Sequence, residues 1–185
     1  AAAVLDTMVE KELKPLKMER ARFKTEIKQI SPSELGQDSV AFTISTNAGG
    51  KFGALLKIAS GGELSRFLLA LKVCLTNDQN GVSMVFDEID RGVGGATADA
   101  VGRRLVQLAK NNAQVLVVTH SPQVAALAER HFLVSKVIED EKTLSQVKQI
   151  KGEDRVEEIA RMISGDRITD EAREASRVLI SGAST

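Results

Sequence analysis

Hydrophobic positions change their period along the chain. In residues 1–18, Leu5, Met8, Val9, Leu13 and Leu16 recur at helical spacing with Glu12 among charged residues, which predicts an amphipathic helix. From 22 to 30 and from 39 to 46 the pattern alternates (Phe23, Thr25, Ile27; then Val40, Phe42, Ile44), the period of strands exposed on one face. Asn47-Ala48-Gly49-Gly50-Lys51 interrupts the two-residue period as a turn. A helix opens at Gly61-Gly62 and runs to about Leu75, with Leu64, Phe67, Leu68, Leu71 and Leu75 on its apolar side. Beyond it, apolar runs at 82–86, 114–119 and 132–138 alternate with helical patterns at 97–110 and 122–130. Strands apolar throughout and separated by helices predict an α/β fold whose mainly parallel sheet is covered on both faces. A more polar strand at 143–149 reads as an edge, and helices near 155–163 and 170–180, separated with Gly152 and Gly165, finish the chain.

Composition narrows the class. The 185 residues are 43% hydrophobic and 27% charged, as in an ordinary globular domain or one lobe of a larger one. Aromatic residues make up only 3%, without Trp or Tyr, which leaves little for stacking nucleic-acid bases. Twenty-five basic and 25 acidic residues give a net charge of zero, so any DNA contact needs a local patch. Arg103, Arg104, Lys148 and Lys151 are scattered and read as solvated faces. A single Cys74 excludes an internal disulfide and fits a reducing cytoplasm. No apolar run approaches the ~20 residues that span a bilayer, and no membrane partner is expected. The chain opens Ala1-Ala2-Ala3 in mid-pattern and reads as a piece of a longer protein. Its first 20 residues are then either a short surface helix or the end of a coiled-coil arm, with too few heptads to choose.

Three stretches carry chemistry. An apolar strand ending in Asp87-Glu88 delivers carboxylates to the C-terminal edge of a parallel sheet, where α/β proteins bind ligands. Asp87 suits Mg²⁺, held through water, and Glu88 suits a base that polarises an attacking water; a solvated acidic loop is the plain alternative. Val115–Val118 leads into Thr119-His120-Ser121-Pro122, bringing to a strand end a histidine able to donate to a terminal phosphate. His131 has no partner motif and reads as structural. Ser60-Gly61-Gly62-Glu63 at a helix start offers open backbone N–H groups to an anion, or merely turns the chain.

In that order, SGGELSR, VFDEID and VVTH resemble the signature, Walker B, D-loop and switch-histidine elements of an ABC ATPase head, over residues 57–136. The wording KIASGGELSRFLLALK, FDEIDRGVGGATADAVGRRL and VTHSPQVAALAERHFLVSK is similar to the RecN family, SMC-like bacterial DNA-repair ATPases. Another SMC-like, zinc-hook or RecF-like head is the alternative. The resemblance implies that Ser60, Gly61, Gly62 and Glu63 serve the ATP of a partner subunit. It further implies that Asp87 serves Mg²⁺, Glu88 is the catalytic base, Asp90 is the D-loop residue and His120 senses the γ-phosphate. Ala59 stands where many ABC signatures have Leu, away from the phosphate-facing atoms. Arg91, after the D-loop Asp, reads as a solvated charge or an interface contact, with no firm role. Implied too are cytoplasmic, nucleoid-associated work, a second head and DNA as partners, and an N-terminal lobe carrying the phosphate-binding loop. That loop requires GxxxxGK[ST]. Gly49-Gly50-Lys51-Phe52 fails the pattern, with Phe52 in place of the metal-binding hydroxyl and Ser45 in place of the first glycine. Residues 21–185 are thus expected to be a C-terminal head lobe that binds ATP poorly by itself and leaves a sheet edge or apolar face uncovered.

Overall fold

The computed structural model describes residues 1–34, 36–47, 49–55, 61–76, 81–110, 114–139 and 142–183, in two compact units, Ala1–Val118 and Thr119–Thr185. No helix among the described residues is long and apolar enough to cross a membrane.

In the first unit, helix α1 (Ala2–Leu13) buries Val9 and Leu13 completely, the face that the helical spacing marks out. Beyond it Leu16 is fully buried, and the chain then turns at Lys17, φ 60°. Strands β1 (Arg22–Ser33) and β2 (Gly36–Ser45) form an antiparallel hairpin, and β3 (Gly53–Ala54) pairs beside β2. Acidic residues of α1 cover the outer edge of β1. The Asp6 carboxylate accepts from the Thr25 backbone N–H (2.9 Å) and hydroxyl (2.7 Å), and Glu10 accepts from the Phe23 N–H at 3.4 Å. These bonds satisfy donors that an open edge would leave to a stray strand. The base of the hairpin is buried, with Phe23 stacked against Phe42 and against Phe67 of α2 (Gly61–Thr76) at 5.5 and 5.2 Å between centroids. Its far half is exposed at Ile27, Ile30 and Val40.

The turn expected at 47–51 falls between β2 and β3, although Ala48 lies outside the described residues. The Ser45 hydroxyl donates to the Asn47 carbonyl at 2.8 Å, and a Cβ on Gly50 would stand 2.7 Å from that hydroxyl. This is a strand-to-strand turn, not the strand-to-helix turn of a phosphate loop.

Strand β4 (Ser83–Asp87), helix α3 (Gly95–Lys110) and strand β5 (Gln114–Val118) complete the unit. β4 and β5 pair in parallel, Ser83 opposite Gln114 and Asp87 opposite Val118. Coverage on both faces, expected from the apolar runs, is not met. Met84 and Phe86 are buried, whereas Val85, Leu116 and Val118 are 60%, 46% and 51% exposed. Leu68 and Leu75 of α2 are exposed as well. Arg104 does not lie on a solvated face: its guanidinium pairs with Glu12 of α1, both side chains mostly buried.

In the second unit, α4 (Pro122–Ala126) stops short of the expected Arg130. Strands β6 (His131–Glu139) and β7 (Lys142–Ile150) form an antiparallel hairpin, so the run expected as a parallel strand pairs with its sequence neighbour instead. Among the described residues, parallel pairing is confined to β4 and β5. Helices α5 (Gly152–Ser164) and α6 (Asp170–Gly182) are tied by Arg173–Glu157 (2.6 Å) and Arg177–Glu153 (3.1 Å). Gly152 opens α5 rather than preceding it, and Gly165 at φ 77° ends it. Arg155 donates to the carbonyls of Ala126 and Ala128 at 2.8 Å and of Ala125 at 3.4 Å, closing the open end of α4. His131 opens β6 opposite Ile150. Its Nδ1 is buried without a partner among the described residues, and burial followed by the Arg155 charge pushes its pKa below the usual value.

Candidate functional site

The site is built on the ends of β4 and β5. Because the strands run parallel and in register, their C-terminal residues Asp87 and Val118 stand side by side, and the backbone beyond them is free to turn. Asp87 is exposed at the end of the β4 ladder. Glu88 adopts φ 47°, a left-handed backbone that bulky side chains seldom take and that costs of order 1–3 kcal/mol. Its N–H donates to the Val118 carbonyl at 3.0 Å, so the last bond of the β4–β5 pair holds it there. Its own carbonyl accepts from the Arg91 N–H, also at 3.0 Å, closing a tight turn. Within that turn Ile89 and Asp90 point inward at 4% and 6% exposure, while the Glu88 carboxylate half faces solvent and meets Arg91 Nη1 at 3.3 Å. Asp90 continues the loop through its carbonyl, which accepts from Val93 N–H at 3.2 Å.

The first turn of α2 packs against this loop. A Cβ on Gly62 would lie 2.7 Å from the Arg91 carbonyl oxygen and 3.5 Å from Val93 Cγ1, so only glycine permits the approach. Gly61 opens the helix, and Glu63 supplies a carboxylate in the first turn, where the helix dipole favours it. Ser60, the first residue expected to meet an anion, lies outside the described residues, as does Ala59. Arg66 follows one turn on. Burial pushes its pKa below the ordinary guanidinium value, and its Nε has no partner among the described residues. Between α2 and β4 a cavity of about 150 Å³ is lined by Ser65, Lys72, Phe86 and Asp87, among others, with the Lys72 ammonium 4.9 Å above the Phe86 ring.

Gly61, Gly62, Glu63, Asp87, Glu88 and Asp90 therefore all belong to the first unit, gathered by α2, β4 and the loop after β4. His120 belongs to the second unit. It is exposed, two residues past the end of β5, in a turn where the Thr119 hydroxyl accepts from Ser121 N–H at 2.9 Å. No cluster of three or more His, Cys, Asp or Glu side chains that could hold a metal occurs among the described residues. Asp87, an exposed carboxylate at a strand end, is of the kind Mg²⁺ takes, one or two carboxylates with water and phosphate completing the shell. Sequence reasoning missed the contacts of Arg91. Its place beside an acidic pair was visible, but the glycine it touches lies about 30 residues earlier in the chain. The basic residues Arg103 and Lys148 are neutralised by Asp99 (2.9 Å) and Asp154 (3.4 Å), which weakens any DNA track through them.

No family model matches the chain. Curated relatives do, among them proteins named DNA repair protein RecN. The protein from Rickettsia prowazekii is 47% identical over 97% of this chain, that from Vibrio cholerae 39% over 98%, and that from Bacillus subtilis 38% over 95%. The chain spans about a third of the length of each, 32% of the Rickettsia protein and 33% of the other two. Among solved structures, the Smc head domain with a coiled coil and joint from Pyrococcus yayanosii aligns with TM-score 0.63 at 18% identity. It covers 85% of this chain and 28% of that one. A chain from work on ATP-driven dimerization and DNA-stimulated activation of SMC ATPases aligns with TM-score 0.60, also at 18% identity, over 89% of this chain and 94% of that one. The fold is that of an SMC head domain. As a segment matching the C-terminal part of these relatives, the chain belongs to the RecN family.

Proposed function

We propose that the chain is the C-terminal head lobe of a RecN-type DNA-repair ATPase, in which ATP hydrolysis follows the pairing of two heads. The observation that carries the reading is the left-handed Glu88, fixed at the end of β4 beside Asp87 and packed through its loop against Gly62 at the start of α2. An acid so placed is held at a strand end with its carboxylate open to a water molecule, and Glu88 accepts that water's proton as it attacks. Asp87 holds the hydrated cation; Mg²⁺, when bound, neutralises charge on the phosphates. Ser60, Gly61, Gly62 and Glu63 serve the nucleotide of a partner head. Asp90 shapes the loop between the heads, and His120 donates to the terminal phosphate. Residues 1–20 serve as the end of a coiled-coil arm, and a lobe bearing the phosphate-binding loop completes the cradle. The repair role and DNA as partner rest on the name of the RecN relatives, and cytoplasmic, nucleoid-associated work goes with that reading.

The test is hydrolysis with and without the rest of the protein. The isolated chain should turn over ATP negligibly. In the full-length protein, Glu88→Gln should lower kcat by ~10²–10⁴-fold while ATP still binds and heads still pair, measured by phosphate release and by sedimentation. Unchanged turnover in that variant would remove Glu88 as the base.

A further inference from the structure

We propose that Arg91 is a positioning residue that ties the start of α2 to the carboxylate of Glu88. The proposal rests on the reading of Glu88 as the base, and concerns what aims that base.

Arg91 is held at three points, each by an atom of the candidate site. Its N–H donates to the Glu88 carbonyl at 3.0 Å. Its carbonyl oxygen fills the space that a side chain on Gly62 would need, 2.7 Å from where that Cβ would stand. Its guanidinium Nη1 meets Glu88 Oε2 at 3.3 Å. The side chain is 78% exposed, so it contributes little to packing, and an ion pair with so much water around it adds little stability. Its effect is on direction. Glu88 already has a backbone confined by φ 47° and by its bond to Val118, which leaves the carboxylate to swing about its side-chain torsions. Arg91 limits that swing from three residues on.

The contact at Gly62 gives the arrangement a consequence beyond order. The oxygen of Arg91 sits against bare backbone, so it has no flexible side chain to absorb a shift of the helix start. A movement of the first turn of α2, such as closing on an anion at its N–H groups, is passed to the Arg91 peptide. Both the N–H and the guanidinium of the same residue hold Glu88. The start of α2 and the base are therefore joined through one residue.

The experiment compares Arg91→Ala, Arg91→Lys and Glu88→Gln in the full-length protein, by steady-state hydrolysis of Mg-ATP and by binding of a fluorescent ATP analogue. Arg91→Ala should lower kcat about tenfold, between the few-fold worth of an exposed ion pair and the ~10²-fold cost of a 1 Å misplacement. KM and analogue affinity should stay within about twofold, and Arg91→Lys should recover most of the loss. Should the alanine variant fail to fold, Arg91→Gln repeats the test at similar side-chain length. Full kcat in Arg91→Ala beside a dead Glu88→Gln would overturn the positioning role and leave the base intact. A loss seen in KM, or one that lysine does not restore, would make Arg91 a nucleotide contact or a structural residue and also overturn it. An active Glu88→Gln would remove the base and this role together.

Discussion

Glu88 and Cys74 show two ways in which neighbours act on a single residue. At Glu88 the cost is in the backbone, and the Val118 carbonyl and the turn to Arg91 hold it. At Cys74 the cost falls on ionisation. Burial, with the nearby charge of Glu12 adding and Arg104 opposing, pushes the thiol from 9.0 up to about 11. The folded chain keeps this proton more tightly than the unfolded chain does. The associated stability is therefore complete below about pH 9 and is lost as pH rises through about 11. Urea midpoints of the wild type and of Cys74→Ala at pH 8 and pH 10.5 should show the wild type losing more between the two. Equal losses would mean the thiol is not the titrating group.

Among the elements, α4 depends most on a distant side chain. It has five residues and a proline start, too short to stand as an isolated helix in water. Arg155 of α5 donates to the carbonyls of Ala125 and Ala126 at the end of α4 and of Ala128 just beyond it, and burial lowers the pKa of that guanidinium. Arg155→Ala leaves those carbonyls without their donor and should destabilise the second unit by about 2–3 kcal/mol, with the lysine variant intermediate. Hydrogen exchange at residues 124–128 should rise first, and unchanged protection there would contradict the account. The hairpin β6–β7 illustrates what a period leaves open. The apolar run at 132–138 was legible as a strand. Its pairing with 143–149 was not, because the same run could bury itself in a parallel sheet.

For the whole molecule the decisive feature lies on the first unit, where Val85, Leu116 and Val118 present a continuous row of apolar side chains to water. Singly exposed apolar residues are common, but adjacent ones on paired strands form a surface that association would bury. The isolated chain should therefore self-associate, with sedimentation coefficients rising with concentration. Val85→Lys together with Leu116→Lys should return it to a monomer without changing the far-ultraviolet circular dichroism. Association that survives both changes would point to another surface, such as the exposed Ile27 and Val40 pair of the first hairpin.

The sequence by itself determined the kinds of element, most of their limits, and the order of SGGELSR, FDEID and VVTH that marks the family. It also showed that the glycines at 49–50 make a turn and no phosphate loop. These properties are local, set by spacing and by residue chemistry over a few positions. Tertiary structure alone decided that Glu88 takes a left-handed backbone and that Gly62 lies against the Arg91 carbonyl. It also decided that Arg104 is paired with Glu12 and that one face of β4–β5 stays open. Each of these depends on residues far apart in the chain, whose meeting is set by register and by what remains to cover a surface. The acids at 87 and 88 could be read as chemistry from the start; what aims them could be seen only once α2 had folded back against the loop.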